Sequence, residues 1–215
     1  MIHSTAVVYS GCEIHSTASV GPFSVIGKPY RPMGNQSYDI SEPTRIAEGS
    51  YVGANVVIGQ GTELRADVVV DDGCTLECEI LAQAKALFIY RAYVCNEARI
   101  GAGAIIGGFI CERSTVGDGA RVFGKLVHKQ LDTLLGWDEV EEDAPAIGDG
   151  AFIGFNSTIA GPARIGEYAY VCSGAIVTRD VPARTIAHGI NQLSAPDMWK
   201  GPLSRSTALR EVHRG

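Results

Sequence analysis

An apolar residue, most often Ile, Val or Leu, recurs at every sixth position along most of this chain of 215 residues. A six-residue period is neither the helical period of about 3.6 residues nor a plain strand alternation. The recurring positions form four registers, Ile2 to Ile26, Ile46 to Ile106, Val116 to Val122 and Ile147 to Val177. Short repeats of this kind are typical of a parallel β-helix, because one unit cannot bury its apolar face alone.

Each repeat has a small residue two positions before the apolar one and often glycine directly after it, as in Ala98-Arg99-Ile100-Gly101. Side chains alternate along a strand, so we expect the small and the apolar residue both to point inward. We expect the glycine to mark a corner at which φ is positive. Three strands and three corners make one triangular coil, and about 24 repeats therefore predict an all-β parallel β-helix of about eight triangular coils.

Two long interruptions break the register. Residues 28–45 contain Pro29 and Pro32, and residues 123–146 end on an acidic run; a smaller slip lies at 108–115. A loop as long as the second interruption is usually functional. We expect one β-helix domain over residues 1–190 with insertions at 28–45 and 123–146, and a C-terminal tail over 191–215 with a short helix around 206–213.

Composition excludes several classes of protein. The net charge is −6, whereas a nucleic-acid binder needs a basic stripe on its surface. No apolar run is long enough for a transmembrane helix, and the N-terminus has no basic and apolar signal segment. The six cysteines contain no C-x-x-C pair, so a zinc site is not expected. We therefore expect a cytoplasmic protein with reduced thiols, no metal, and neither a nucleic-acid nor a membrane partner.

The repeat resembles that of the hexapeptide-repeat acyltransferases, whose fold is a left-handed parallel β-helix. The stretches Ile147–Gly154 and Gly174–Pro182 resemble two motifs of that family. His128, in the long insertion before Pro145, resembles the loop histidine of the galactoside, maltose and xenobiotic acetyltransferase branch. The resemblance implies transfer of an acyl group from acetyl-CoA, or another acyl-CoA, to an amine or hydroxyl of a sugar, nucleotide-sugar or similar small molecule. It also implies a homotrimer with active sites at the subunit interfaces.

The same resemblance assigns roles to individual residues. His128 is the expected general base, since imidazole titrates near neutral pH. Its orienting group is expected to be Glu142, with Asp132 and Glu141 also nearby or a backbone carbonyl instead. The backbone amide of Phe155 is the expected donor to the oxyanion. The expected cofactor contacts are Gly154, Phe155, Asn156, Ser173, Gly174, Thr178 and Arg179. The expected acceptor contacts are Arg31, Tyr38, Asn96 and Glu97.

One departure and two alternatives remain. The family usually continues after its last coil with G-x-P-A, whereas this chain reads Gly189-Ile190-Asn191-Gln192. A γ-class carbonic anhydrase on the same fold would need three histidines around a metal, and His3 and His15 lie at corners far from His128. A non-catalytic β-helix with a structural or assembly role is the other alternative.

Overall fold

The structure is a computed structural model, which describes residues 1–30, 42–129, 134 and 143–200. Those residues form 27 short strands and one 3-10 turn at Pro196–Met198. In chain order the strands are β1 Val7–Val8, β2 Glu13–Ile14, β3 Ser19–Val20, β4 Val25–Lys28, β5 Arg45–Ile46, β6 Tyr51–Val52, β7 Val57–Gly59, β8 Glu63–Leu64, β9 Val69–Val70, β10 Thr75–Leu76, β11 Leu81–Ala82, β12 Leu87–Phe88, β13 Tyr93–Val94, β14 Arg99–Ile100, β15 Ile105–Ile106, β16 Phe109–Ile110, β17 Thr115–Val116, β18 Arg121–Val122, β19 Lys125–Val127, β20 Ala146–Ile147, β21 Phe152–Ile153, β22 Thr158–Ala160, β23 Arg164–Ile165, β24 Tyr170–Val171, β25 Ile176–Val177, β26 Ile186–His188 and β27 Gln192–Ser194.

The strands stack into three sheets, in which each strand pairs in parallel with the strand one coil away. Sheet 1 runs from β1 and β4 to β25, sheet 2 from β2 and β5 to β23, and sheet 3 from β3 and β6 to β24, β26 and β27. We name the corners by the sheets they join: corner 1–2, corner 2–3 and corner 3–1. The nine strands of sheet 1 define nine coils, one more than expected, and the all-β, left-handed parallel β-helix class is confirmed.

The core is a set of stacked ladders inside the prism. The second residue of each strand points inward, so that Val70, Phe88 and Ile106 form one ladder and are each fully buried. The small residue before most strands is buried as well, as at Ala104 and Ser157. Each large apolar side chain contributes about 1.5–3 kcal/mol by its burial. The inward positions predicted by the repeat are therefore confirmed.

The expectation about the corner glycines is wrong. Among the described glycines that directly follow the apolar residue, Gly27 has positive φ, but the others, such as Gly101 and Gly154, do not. A Cβ at either one would lie 2.5 Å from a backbone atom of the next coil, so glycine is needed there for space. Positive φ occurs mostly two residues later in the corner, at glycines such as Gly103 and, in the described part of the chain, at 13 non-glycine residues, among them Asn156.

Both insertions leave the prism at corner 1–2. β4 extends to Lys28 and β5 begins at Arg45, so the first inserted segment is 29–44. β19 lies within the residues expected to be inserted, so the second inserted segment is 128–145 and shorter than expected.

The six-residue period missed strands β16 and β19. Two turns at corner 3–1, Gly107-Gly108 and Phe123-Gly124, are two residues shorter than the others and shift the register. Such short turns need glycine, since a Cβ at Gly108 would collide with the carbonyl oxygen of Gly124.

An antiparallel hairpin of β26 and β27 ends the prism on sheet 3. His188 is fixed there by a 2.9 Å hydrogen bond between Nε2 and Ser194 Oγ and by Trp199, whose ring centroid is 4.9 Å away. The expected tail therefore begins with a strand, while the helix expected around 206–213 lies outside the described residues. In the part of the chain that the structure describes, no helix has the length and apolar character needed to span a membrane.

Candidate active site

His128 is the first residue of the second insertion and directly follows β19 at corner 1–2. The strand register stacks it with the residues at the same position of neighbouring coils, which we call the His128 column. From the third coil to the eighth, this column contains Gln60, Cys78, Asn96, Glu112, His128 and Gly161. The insertion therefore begins at a ladder of paired strands, and the histidine directly follows one of them.

The side chain of His128 is half-buried. Its Nδ1 atom is buried and has no hydrogen-bond partner among the described residues. Nε2 is therefore the ring nitrogen left to act on an external acceptor molecule. A histidine acting as a base at Nε2 needs an acceptor for its Nδ1 proton.

Gly161 lies directly above His128 in the column. Its N–H donates to the carbonyl of Val127 at 2.8 Å. A Cβ at Gly161 would collide with the backbone carbonyl of Asp143, which occupies the space of the missing side chain. The absent side chain thus lets the returning end of the insertion pack against the coil that follows His128.

Glu112 lies directly below His128 in the column. Its side chain is half-buried and forms no hydrogen bond or ion pair with any other described residue. The sequence analysis missed this residue because it searched the insertion for an acid. The strand register reveals it. A regular coil has 18 residues, and the short turn at Phe123-Gly124 removes two, so Glu112 lies one coil, or 16 residues, before His128.

Asn96 and Glu97 lie two coils below His128 at the same corner. Asn96 is 8% exposed, and its Oδ1 accepts the N–H of Cys78 at 2.9 Å. Glu97 has a φ of 59°, the left-handed conformation of this turn. The structure therefore brings both expected acceptor contacts to the corner of His128 and gives Asn96 a structural hydrogen bond there.

Thiols and a phenol line the same corner beside the column. Burial raises the pKa of Cys95, and the nearby Glu77 carboxylate raises it further. Burial also raises the pKa of Tyr93, whose hydroxyl donates to Glu77 Oε1 at 2.5 Å. These groups stay protonated at neutral pH, so a thiolate nucleophile is not available here.

The expected cofactor contacts divide between two corners. Gly154, Phe155 and Asn156 lie at corner 3–1, and the N–H of Gly174, beside Ser173, donates to the carbonyl of Phe155 at 2.9 Å. Thr178 and Arg179 lie at corner 1–2, one coil above Gly161. The width of sheet 1 separates the two sets, because β22 and β25 run from corner 3–1 to corner 1–2.

The backbone amides of Phe155 and Asn156 have no acceptor among the described residues. At most corners the amide at the position of Asn156 donates to a carbonyl of the preceding coil, as Gly174 does to Phe155. The turn beneath Asn156 is the shortened Phe123-Gly124, which leaves no carbonyl at that place. Two neighbouring N–H groups are therefore free to bind an anionic oxygen.

Thr178 and Arg179 are held by Asn191. The Asn191 side chain accepts the Thr178 N–H and donates to Thr178 Oγ1, each at 2.8 Å, and the Arg179 guanidinium donates to the Asn191 carbonyl. Asn191 belongs to the stretch that departs from the family ending, and it closes the last coil. The expected contacts at Thr178 and Arg179 are thus part of the C-terminal cap.

Three expected site residues, Glu142, Arg31 and Tyr38, lie outside the described residues. Within the described ranges, no group of three or more His, Cys, Asp or Glu side chains could hold a metal ion. The ligand set of a γ-class carbonic anhydrase is therefore not found in that part of the chain.

Two family models match the chain. One is the bacterial transferase hexapeptide model (six repeats) over residues 145–179, and the other is the hexapeptide repeat of succinyl-transferase over residues 43–78. The bifunctional protein GlmU of Stenotrophomonas maltophilia is 37% identical over 70 residues, which are 33% of this chain and 15% of that protein. GlmU of Rhizobium rhizogenes is 47% identical over 53 residues, which are 25% of this chain and 12% of that protein. The matches thus span under a fifth of each relative.

Solved structures share the fold at low sequence identity. The UDP-N-acetylglucosamine acyltransferase of Francisella novicida gives a TM-score of 0.57 at 18% identity, over 88% of this chain and 67% of that one. LpxA of Acinetobacter baumannii gives a TM-score of 0.54 at 17% identity, over 100% of this chain and 78% of that one. The repeat, the two family models and the stacked coils agree: residues 43–78 and 145–179 carry hexapeptide repeats, and the fold is the one that these acyltransferase structures share.

Proposed function

We propose that the chain is an acyltransferase that moves an acyl group, in the first instance acetyl, from acyl-CoA to a hydroxyl or amine of a sugar, nucleotide-sugar or similar small molecule. The observation that carries the proposal is His128, a half-exposed imidazole on a rigid corner at the start of a long insertion. The match of residues 145–179 to the bacterial transferase hexapeptide model supports it. The finer family branch, with galactoside, maltose and xenobiotic acetyltransferases, stays a prediction.

In the proposed reaction the acceptor oxygen or nitrogen attacks the thioester carbonyl carbon while His128 Nε2 takes its proton. The tetrahedral intermediate carries an oxyanion, for which the free amides of Phe155 and Asn156 are the candidate donors. The intermediate then expels the CoA thiolate, which takes the proton from His128. Bonds and charges balance without a covalent enzyme intermediate or a metal.

The separation of His128 from Phe155 favours a site built from two chains. His128 lies at corner 1–2, whereas the free amides lie at corner 3–1 of the same prism. In a ring of three subunits, corner 1–2 of one chain would face corner 3–1 of the next, which is a heterologous interface that closes. We therefore propose a homotrimer with its active sites at the subunit interfaces, in the cytoplasm, where the six free cysteines stay reduced.

Release of free CoA thiol from acetyl-CoA, measured over a panel of amino sugars, nucleotide-sugars and simple sugars, tests the proposal. We expect the variant His128→Gln to lose about 10²- to 10⁴-fold in rate. The matched control is His15→Gln, because His15 is an exposed corner histidine whose Nδ1 is paired with Thr17 Oγ1 at 2.9 Å. Equal rates for His128→Gln and the unsubstituted protein would contradict the assigned base.

The second candidate function is a non-catalytic β-helix with a structural or assembly role. The regular stacking of nine coils would serve that role without any active site. Absence of acetyl-CoA binding by calorimetry, together with absence of turnover on the whole panel, would favour this alternative over the transferase.

A further inference from the structure

Two groups of complementary chemistry lie next to each other in the His128 column and each lacks a partner. The His128 Nδ1 atom is buried without a hydrogen bond, and the Glu112 carboxylate is half-buried without a hydrogen bond or ion pair, among the described residues. β16 and β19 pair in register, so the two residues follow equivalent positions on adjacent coils, about 4.8 Å apart along the prism axis.

Resting on the proposed function, we infer that Glu112 is the positioning residue for His128. Its carboxylate accepts the Nδ1–H proton, which keeps Nε2 unprotonated and directed at the acceptor molecule. A half-buried carboxylate is the strongest neutral-pH acceptor available to an imidazole N–H, because the bond is charge-assisted. No hydrogen bond joins the two side chains in the structure, and rotation of the Glu112 side chain is the movement that the inference requires.

The column shows that a side chain at this position can span the distance to an adjacent coil. One coil before Glu112, the Oδ1 atom of Asn96 accepts the backbone N–H of Cys78 in the preceding coil. To reach His128, the Glu112 side chain must turn the other way, toward the following coil. Glutamate has one more carbon atom than asparagine and carries the charge. Glu112 therefore has the reach and the chemistry to meet a buried nitrogen in the adjacent coil.

Other charged groups on the elements around His128 must be considered. They are Arg113 beside Glu112, Lys125 and Lys129 on the coil of His128, and Asp143 on the returning end of the insertion. Asp143 is exposed and presents its backbone carbonyl to Gly161. Of the described carboxylates, Glu112 alone shares the column with His128.

Measurement of the pKa of His128 by NMR tests the inference, with Glu112→Gln as the variant and Glu79→Gln as the control. Glu79 lies at the same corner, three coils below His128. We expect Glu112→Gln to lower the pKa of His128 by about 0.5–1 unit, because a neighbouring carboxylate favours imidazolium, and Glu79→Gln to leave it unchanged.

Kinetics give a second readout. We expect Glu112→Gln to reduce kcat about tenfold or more, and to move the acidic limb of kcat/KM to lower pH in step with the NMR value. Glu112→Asp should restore part of the loss, which a merely structural role would not do. An unchanged pKa of His128 in Glu112→Gln would overturn the inference.

The NMR titration separates this inference from the proposed function, because it needs no turnover. A lowered pKa in a protein without transferase activity would leave Glu112 as the partner of His128 and refute only the reaction. If turnover is normal and the pKa of His128 changes only on substitution within residues 130–142, the role of Glu112 is overturned and the transferase function is retained.

Discussion

At the scale of single residues, the corners contain glycine for two different reasons, lack of space and positive φ. A Cβ at Gly101 would lie 2.5 Å from the backbone carbon of Gly117 on the next coil, so glycine is needed there for space. Gly103 has a φ of 64° and open surroundings, so it is needed only for its backbone conformation. Thirteen other residues with positive φ, including Asn156, show that the second requirement is readily met without glycine.

We therefore expect Gly101→Ala to lower the free energy of unfolding by about 2–3 kcal/mol, since two coils must separate to admit the methyl group. Gly103→Asn should cost about 1 kcal/mol or less, because asparagine tolerates the left-handed region. Urea titration of both variants measures the difference. Equal destabilisation would show that backbone conformation, and not space, requires glycine after the apolar residue.

The buried thiols give stability a pH dependence. Burial raises the pKa of Cys74 and of Cys78 from 9.0 to about 11. The unfolded chain ionises above pH 9 while the folded chain does not until about pH 11, so the free energy of unfolding falls across this window. The double variant Cys74→Ala, Cys78→Ala should show a shallower fall than the unsubstituted protein in urea titrations at pH 8 to 11. Parallel slopes would contradict this.

At the scale of elements, Gly161 links the second insertion to β22 and hence to His128. We expect Gly161→Ala to displace the Asp143 carbonyl and to reduce acyl transfer about tenfold or more, because a shift of about 1 Å is enough to misplace catalytic groups. Gly119→Asn is the control, since a Cβ there meets nothing within 4 Å and asparagine tolerates the φ of 64° at this position. Thiol release by both variants is the measurement, and unchanged turnover in Gly161→Ala would exclude this link.

The C-terminal cap depends on Asn191, which joins the last turn to Thr178 through two side-chain hydrogen bonds. We expect Asn191→Ala to cost about 1–2 kcal/mol of unfolding free energy. Asn191→Asp should cost less, because it keeps the acceptor for the Thr178 N–H. Thermal unfolding followed by circular dichroism compares the two; an equal loss would mean that the acceptor bond contributes nothing.

At the scale of the whole molecule, the separation of His128 from corner 3–1 predicts complementation between chains. His128→Gln should inactivate corner 1–2, and Ser173→Trp should block corner 3–1. Co-expression of the two inactive variants should restore about a quarter of the activity, because random mixing places two intact corners together at that frequency in a heterologous ring. No recovery in mixed trimers would place the whole site within one chain.

The sequence by itself determined the β-helix and the inward ladders, and it placed His128 within an insertion. A six-residue period leaves only short strands and tight turns, and alternation along a strand decides which side chains are buried. It missed β16 and β19, because shortened turns shift the register without changing the composition of the repeat.

Only the tertiary structure decided which distant residues share a corner. Strand register stacks Glu112 and His128 on adjacent coils, whereas Phe155 and Thr178 lie close in sequence and are separated by the width of sheet 1. In a solenoid, residues one coil apart are neighbours while residues half a coil apart face different directions. The turn at Phe123-Gly124 is two residues shorter than the others, so it shifts which residues of neighbouring coils stack on each other. It also leaves the backbone N–H of Asn156 without an acceptor among the described residues.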